Sequence, residues 1–123
     1  MVNVKDQVYN ALKEQEITEN LGDGYPKEWA VLPAVQYMEE DNSVSEWTDN
    51  AEQKAHLLYR IDIWNNQSTS EAAIKVDKAL STLGLVRKQC NDVDDPSGLK
   101  HKIMRYEGIL DIDTNTVHHN TYY

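Results

Sequence analysis

Four histidines, 21 acidic residues and one cysteine are the groups of this 123-residue chain that could carry chemistry. His56 and Asp62 make the best-placed acid–base pair. Six residues apart in an alternating stretch, they share a strand face but stand about 20 Å apart at strand rise, too far for direct proton transfer. Cys90, between Gln89 and Asn91, lacks the base and the electropositive setting of a reactive thiol and reads as a half-buried strand residue. As the sole cysteine it forms no intramolecular disulfide, which suits assembly in a reducing cytoplasm. Asp92, Asp94 and Asp95 suggest a calcium loop. Counted from Asp92, however, Ser97 and Ile103 fall where an EF-hand requires Gly and Glu, so an acidic turn is expected. Gly22-Asp23-Gly24 lacks the spacing of a phosphate loop and reads as a turn. Glu46, Asp49 and Glu52 follow no ligand spacing and read as a solvated acidic loop. The adjacent His118 and His119 would face opposite ways in a strand, and no Cys or carboxylate completes a metal set with them. No catalytic, cofactor or metal site is therefore expected.

Charge narrows the partners further. The formal net charge is −9, with 12 basic residues scattered along the chain apart from Arg87-Lys88 and Lys100-His101-Lys102. Gripping nucleic acid through its phosphates needs clustered Lys and Arg, so this chain should repel DNA, and an acidic surface suits a basic partner. No apolar run approaches a membrane span. The N-terminal MVNVKDQVYNAL has no cationic segment followed by an apolar one, so no signal peptide is expected. Length and composition fit one α+β domain over residues 1–113, followed by a polar C-terminal arm over 114–123.

The elements that would position these groups centre on residues 56–84. Leu57, Tyr59, Ile61 and Ile63 alternate with Leu58, Arg60, Asp62 and Trp64, the period of a strand. The first set is wholly apolar. The second mixes charge with Leu58 and Trp64, and is expected to be partly covered, by a partner in one reading. Ser68 and Glu71 have capping-box spacing, with Ser70 as the other candidate cap. Ala72, Ala73, Val76, Ala79, Leu80 and Leu83 then recur at helical spacing, and Gly84 suits a left-handed cap.

Upstream, Val4, Val8, Ala11 and Leu12 predict an amphipathic helix over 3–15, with Asn3 as cap and Asp6 in its first turn. Residues 17–32 read as irregular, with Trp29, Val31 and Leu32 packing the segment back onto the domain. A short strand led by Pro33 runs to Met38. Residues 39–54, EEDNSVSEWTDNAEQK, show no clear period and read as a long polar loop. In it Trp47 either folds back as a staple or anchors a partner.

Downstream, residues 85–93 and 99–113 predict two strands around the Asp94-Asp95-Pro96-Ser97-Gly98 turn. Met104, Tyr106, Leu110 and Ile112 share one face, and Gly108 marks a bulge or a close approach. The tail, ending in Tyr122 and Tyr123, reads as disordered when free or as an arm ordered by a neighbour. The order α-β-β-α-β-β predicts a four-stranded, mostly antiparallel sheet with two helices on one face. Val8, Leu12, Val35, Tyr59, Ile61, Ile63, Val76, Leu80, Leu83 and Tyr106 are its expected core.

Taken together, the amphipathic VKDQVYNAL, the Pro-led LPAVQYMEE after YPKEW, the polar loop, the alternating HLLYRIDIWNN, the small-residue helix SEAAIKVDKALSTLG and the returning RYEGILDID resemble the bacteriophage tail-terminator family. These are the tail-completion or head–tail joining proteins of long-tailed phages. The resemblance covers nearly the whole chain and rests on the layout of elements. It implies a structural virion protein, not an enzyme, without cofactors. It would be assembled in the host cytoplasm and located at the tail or neck. Six copies would close a ring on the finished tail tube, touching the tube protein and a neck or connector protein. DNA would pass through the lumen without specific binding, and no membrane would be involved. Another neck or connector ring subunit is the alternative, and a small ligand-binding or enzymatic α+β domain is a third. The candidate interface residues are Trp47, Leu58, Arg60, Trp64, Tyr122 and Tyr123.

Overall fold

A computed structural model describes residues 3–48, 51–111 and 116–118, with the side chains of 3–44 and 54–110. Its elements are α1 (Lys5–Glu14), β1 (Asn20–Gly22), β2 (Ala34–Thr48), β3 (Ala51–Asn65), α2 (Ser70–Thr82), β4 (Val86–Val93), β5 (Lys100–Asp111) and β6 (Thr116–His118). The class is α+β.

The stripe of α1 buries Val4, Val8 and Leu12; the Asn3 side chain accepts the Lys5 amide, but the N-cap is Val4, not Asn3 as expected. The N-cap of α2 is Thr69, with no side-chain cap bond, and not Ser68 or Ser70 as expected; the Ser68 hydroxyl just before it accepts the Ser70 amide. Glu71 turns to Lys75, 3.6 Å away, so the expected capping box does not form. At the other end Gly84 adopts φ 89°, with its amide on Ser81 and that of Leu85 on Leu80. This is a Schellman cap, whose left-handed residue favours glycine.

Among the described residues the sheet has six strands, where four are expected, in the order β1-β2-β3-β5-β4, with β6 also on β5. It is mixed, because β1 runs parallel to β2 while the other pairs are antiparallel. The short β1 lies within the segment read as irregular. Thr116–His118, assigned by sequence to the C-terminal arm, pairs with Ile109–Asp111 and continues the edge that β4 begins.

The largest correction concerns residues 39–54. They form no long loop. Instead β2 runs on to Thr48, β3 starts at Ala51, and the two make a hairpin of 15-residue strands. Three register shifts, at Glu39/Asp41, Val44/Glu46 and Glu46/Trp47, explain why no alternation was visible. Each β-bulge inserts a residue and changes which face the following side chains occupy. Gly108 marks no such shift, since it pairs in register with Leu57.

Both helices lie on the face carrying Leu57, Tyr59, Ile61 and Ile63, all fully buried. Of the expected core, Leu83 alone is only partly buried, at the rim. The Tyr106 hydroxyl donates to Asp77 on α2 at 2.8 Å, tying the helix layer to β5. No helix among the described residues is long and apolar enough to cross a membrane.

Candidate functional site

The opposite, helix-free face of the sheet gathers the chain's charged side chains into ordered pairs. The bulge at Glu40 is the device that builds it. Glu39 stays on the covered face and accepts the Tyr59 hydroxyl at 3.0 Å. Glu40 and Asp41 then both reach the helix-free face, where Glu40 receives Arg105 at 2.9 Å and Asp41 meets His56 at 2.8 Å. A second shift, between Arg87 and Gln89, does the same on β4. Arg87 faces Asp77 on α2, while Gln89 accepts from Arg105 and Lys88 approaches Glu107. Arg105 therefore links β2 to β4 across the intervening β3.

Two histidines anchor this face. His56 Nδ1 lies 2.8 Å from Asp41 Oδ2 and its Nε2 2.9 Å from Glu107 Oε2. Burial lowers its pKa, but the carboxylates of Glu107 and Asp41 outweigh that, and the net shift is upward. Hydrogen bonds from His56 and then Ser43 hold the Asp41 carboxyl below the usual carboxylate range. At the other end, His101 Nε2 lies 2.8 Å from Asp62 Oδ2 and its Nδ1 3.6 Å from Asp95. Asp62 is buried and also takes the Arg60 guanidinium in a two-bond fork at 2.7 and 2.9 Å, which pushes the Arg60 pKa up further. His56 and Asp62 thus do not form an acid–base pair, since each is committed to its own partners.

The even face of β3 is partly covered, by the chain's own 23–33 segment at one end. Trp64 is 3% exposed, stacked on His101 at 4.6 Å and edge-on to Trp29 at 5.5 Å and Tyr25 at 5.7 Å. Its indole N–H donates to Asp95 at 3.3 Å. Trp29 therefore packs the segment onto the domain as expected, and Tyr25 and Val31 stay exposed. Of the candidate interface residues, Leu58 and Arg60 are half-buried on the helix-free face beside the exposed Met38. Trp64 is taken up by internal packing. Trp47 pairs through its backbone with Glu52 near the hairpin end, and its side chain lies outside the described residues. Tyr122 and Tyr123 also lie outside them. Cys90 is in a strand as expected but exposed, because β4 is an edge strand.

A groove of about 610 Å³ opens where the start of α2 meets the β4–β5 turn, lined by Ser68, Thr69, Ser70, Asp95, Lys100 and His101. Its charged groups are largely engaged. Asp95 accepts from the Ser97 amide and hydroxyl, which with the Trp64 N–H hold its pKa low, and Lys102 pairs with Asp92 at 2.9 Å. The two ring nitrogens of His101 face Asp62 at 2.8 Å and Asp95 at 3.6 Å.

Sequence reasoning identified the face but missed its partners, because Asp41, Glu107 and His101 are remote in sequence from the residues they bind. The one local signal was the acidic doublet Glu39-Glu40 running into Asp41, where a strand of strict period two would have thrown alternate carboxylates into the core. Neither a scan of protein-family models nor a search of curated proteins finds a match to this chain.

Proposed function

We propose that this chain is a structural subunit of a long-tailed phage particle, closing as a homo-hexameric ring on the head-proximal end of the tail tube and joining it to the head connector. The observation that carries this reading is the β2–β3 hairpin. A 15-residue strand spans about 50 Å. The 13 residues of α2 span about 20 Å and the 10 of α1 about 15 Å. The hairpin therefore outruns the helices; its β3 strand is paired with β5 as far as Lys54, and the hairpin end beyond that is the part able to reach a neighbouring subunit.

The charge pattern supports the same role. A face whose histidines and arginines are already paired with carboxylates offers no free basic cluster to phosphates, and the net charge of −9 repels DNA passing through a lumen. The direct test images whole particles assembled with a labelled subunit. Six copies at one tube end are expected. Density between connector and terminator would instead assign a neck subunit, and density at the baseplate would refute both.

A further inference from the structure

The sheet ends on two unlike edges. On one side β1 covers β2 only at Ala34–Gln36, so from Tyr37 onward the outer edge of β2 faces no strand among the described residues. On the other side the eight residues of β4 lie outermost, beside β5. Such edges offer backbone N–H and C=O groups to any strand that fits them. The β2 edge also carries two exposed large apolar side chains, Met38 and Val44.

Both edges are bulged, and the two bulges match. On β2 the shift between Glu39 and Asp41 sets two consecutive residues, Glu40 and Asp41, on the helix-free face. On β4 the shift between Arg87 and Gln89 does the same with Lys88 and Gln89. A regular strand laid along either edge would lose its alternation at the bulge, whereas a strand bulged at the same point keeps it.

We propose that β2 of one copy of this chain pairs antiparallel with β4 of a second copy, bulge against bulge. Strand direction allows it. Along β2, β3, β5 and β4 the direction reverses at each step, so a copy repeated sideways brings its β4 antiparallel to β2 with the helices on the same face. Matching faces then sets the register. Asp92 of the second copy falls opposite Tyr37, Asn91 opposite Met38, Cys90 opposite Glu39 and Arg87 opposite Asn42. Between the last two pairs, Lys88 and Gln89 meet Glu40 and Asp41. Val93, the last residue of β4, reaches the level of Gln36, where β1 takes over the edge.

Charge selects the unlike edge. Two β2 edges joined at their bulges would set Glu40 and Asp41 against the same carboxylates, and two β4 edges would bring both Lys88 ammonium groups together. The unlike pairing instead brings Lys88, which meets Glu107 in its own chain only at 3.9 Å, up to Glu40 and Asp41. Backbone bonds hold the contact and the charges choose the partner. A contact that uses a different surface on each copy closes into a ring where the rotation allows. The count of six rests on the ring reading proposed above, and the edge pairing does not.

Disulfide trapping in a Cys90→Ser background tests the pairing. Met38→Cys and Asn91→Cys variants are oxidised separately and as a mixture, and oxidation captures even transient contacts. Dimers of mixed composition are expected, with most of that product lost when Lys88→Glu is added to the Asn91→Cys chain. Absence of mixed dimers, or dimers formed as readily by either variant alone, would overturn the pairing. If a variant does not fold, Ser43→Cys with Val86→Cys decides, since these residues form the next pair on the helix-free face. A chain carrying both Met38→Cys and Asn91→Cys separates this claim from the ring. A cross-linked ladder that ends at six supports both, and a ladder that ends at another number or runs on keeps the pairing and contradicts the six-membered ring.

Discussion

Asp62 carries three hydrogen bonds at a buried position, two from Arg60 and one shared with His101. Removing it leaves a guanidinium without its partner. Asp62→Ala is expected to cost about 3 kcal/mol, the low end for a broken buried pair because Arg60 is partly exposed. Chemical denaturation measures this, and an unchanged midpoint would show the fork to be dispensable. The two fully buried phenols, Tyr59 and Tyr106, give a second residue-scale outcome. Burial, reinforced by Glu39 at Tyr59 and by Asp77 at Tyr106, pushes both pKa values well up. Their contribution to stability is present below the ordinary value of about 10 and lost as pH climbs beyond it. In an alkaline absorbance titration, Tyr59→Phe and Tyr106→Phe should each leave the early-ionising amplitude unchanged and reduce the late one. Reduction of the early amplitude would contradict this. At this scale the alternation of 57–64 made the faces of β3 legible, since side chains at one spacing must share a side. The pairs on those faces were not legible, because Asp41 lies 15 positions from His56 and Glu107 lies 51 away.

Among the elements, the helices were the most legible, because their stripes and the glycine cap of α2 are local, whereas their N-caps fell on Val4 and Thr69 without side-chain bonds. Two substitutions test them. Leu80 is fully buried in α2, and Leu80→Ala should destabilise by about 2–5 kcal/mol, read from the denaturation midpoint. Gly84→Ala forces a side chain into the left-handed region at φ 89° and should cost about 1–2 kcal/mol, whereas a neutral effect would place the cap elsewhere. The hairpin shows where local pattern fails. Val35 and Tyr37 alternate as core residues, but after the bulge at Glu40 two consecutive carboxylates share one face. A period-two template breaks there, and so β2 was read as ending at Met38. The strand β1 escaped for a different reason. Three residues, Asn20–Gly22, are too few to show a period, and they are held by their parallel register on Ala34–Gln36.

At the scale of the whole molecule, the relevant quantities are charge and reach. In the proposed ring, six copies at −9 each would carry a formal −54, which would oppose assembly of the free subunit. Screening is only partial at 0.1 M salt, where the Debye length is about 10 Å, so light scattering should show larger assemblies as ionic strength rises. Loss of assemblies with added salt would mean that attraction between opposite charges, not repulsion, governs the contact. The measurement that bears most directly on the role proposed for this chain is electron microscopy of phage particles assembled without it. Tails of abnormal length that fail to join heads are expected, and tails of normal length joined to heads would contradict the proposal.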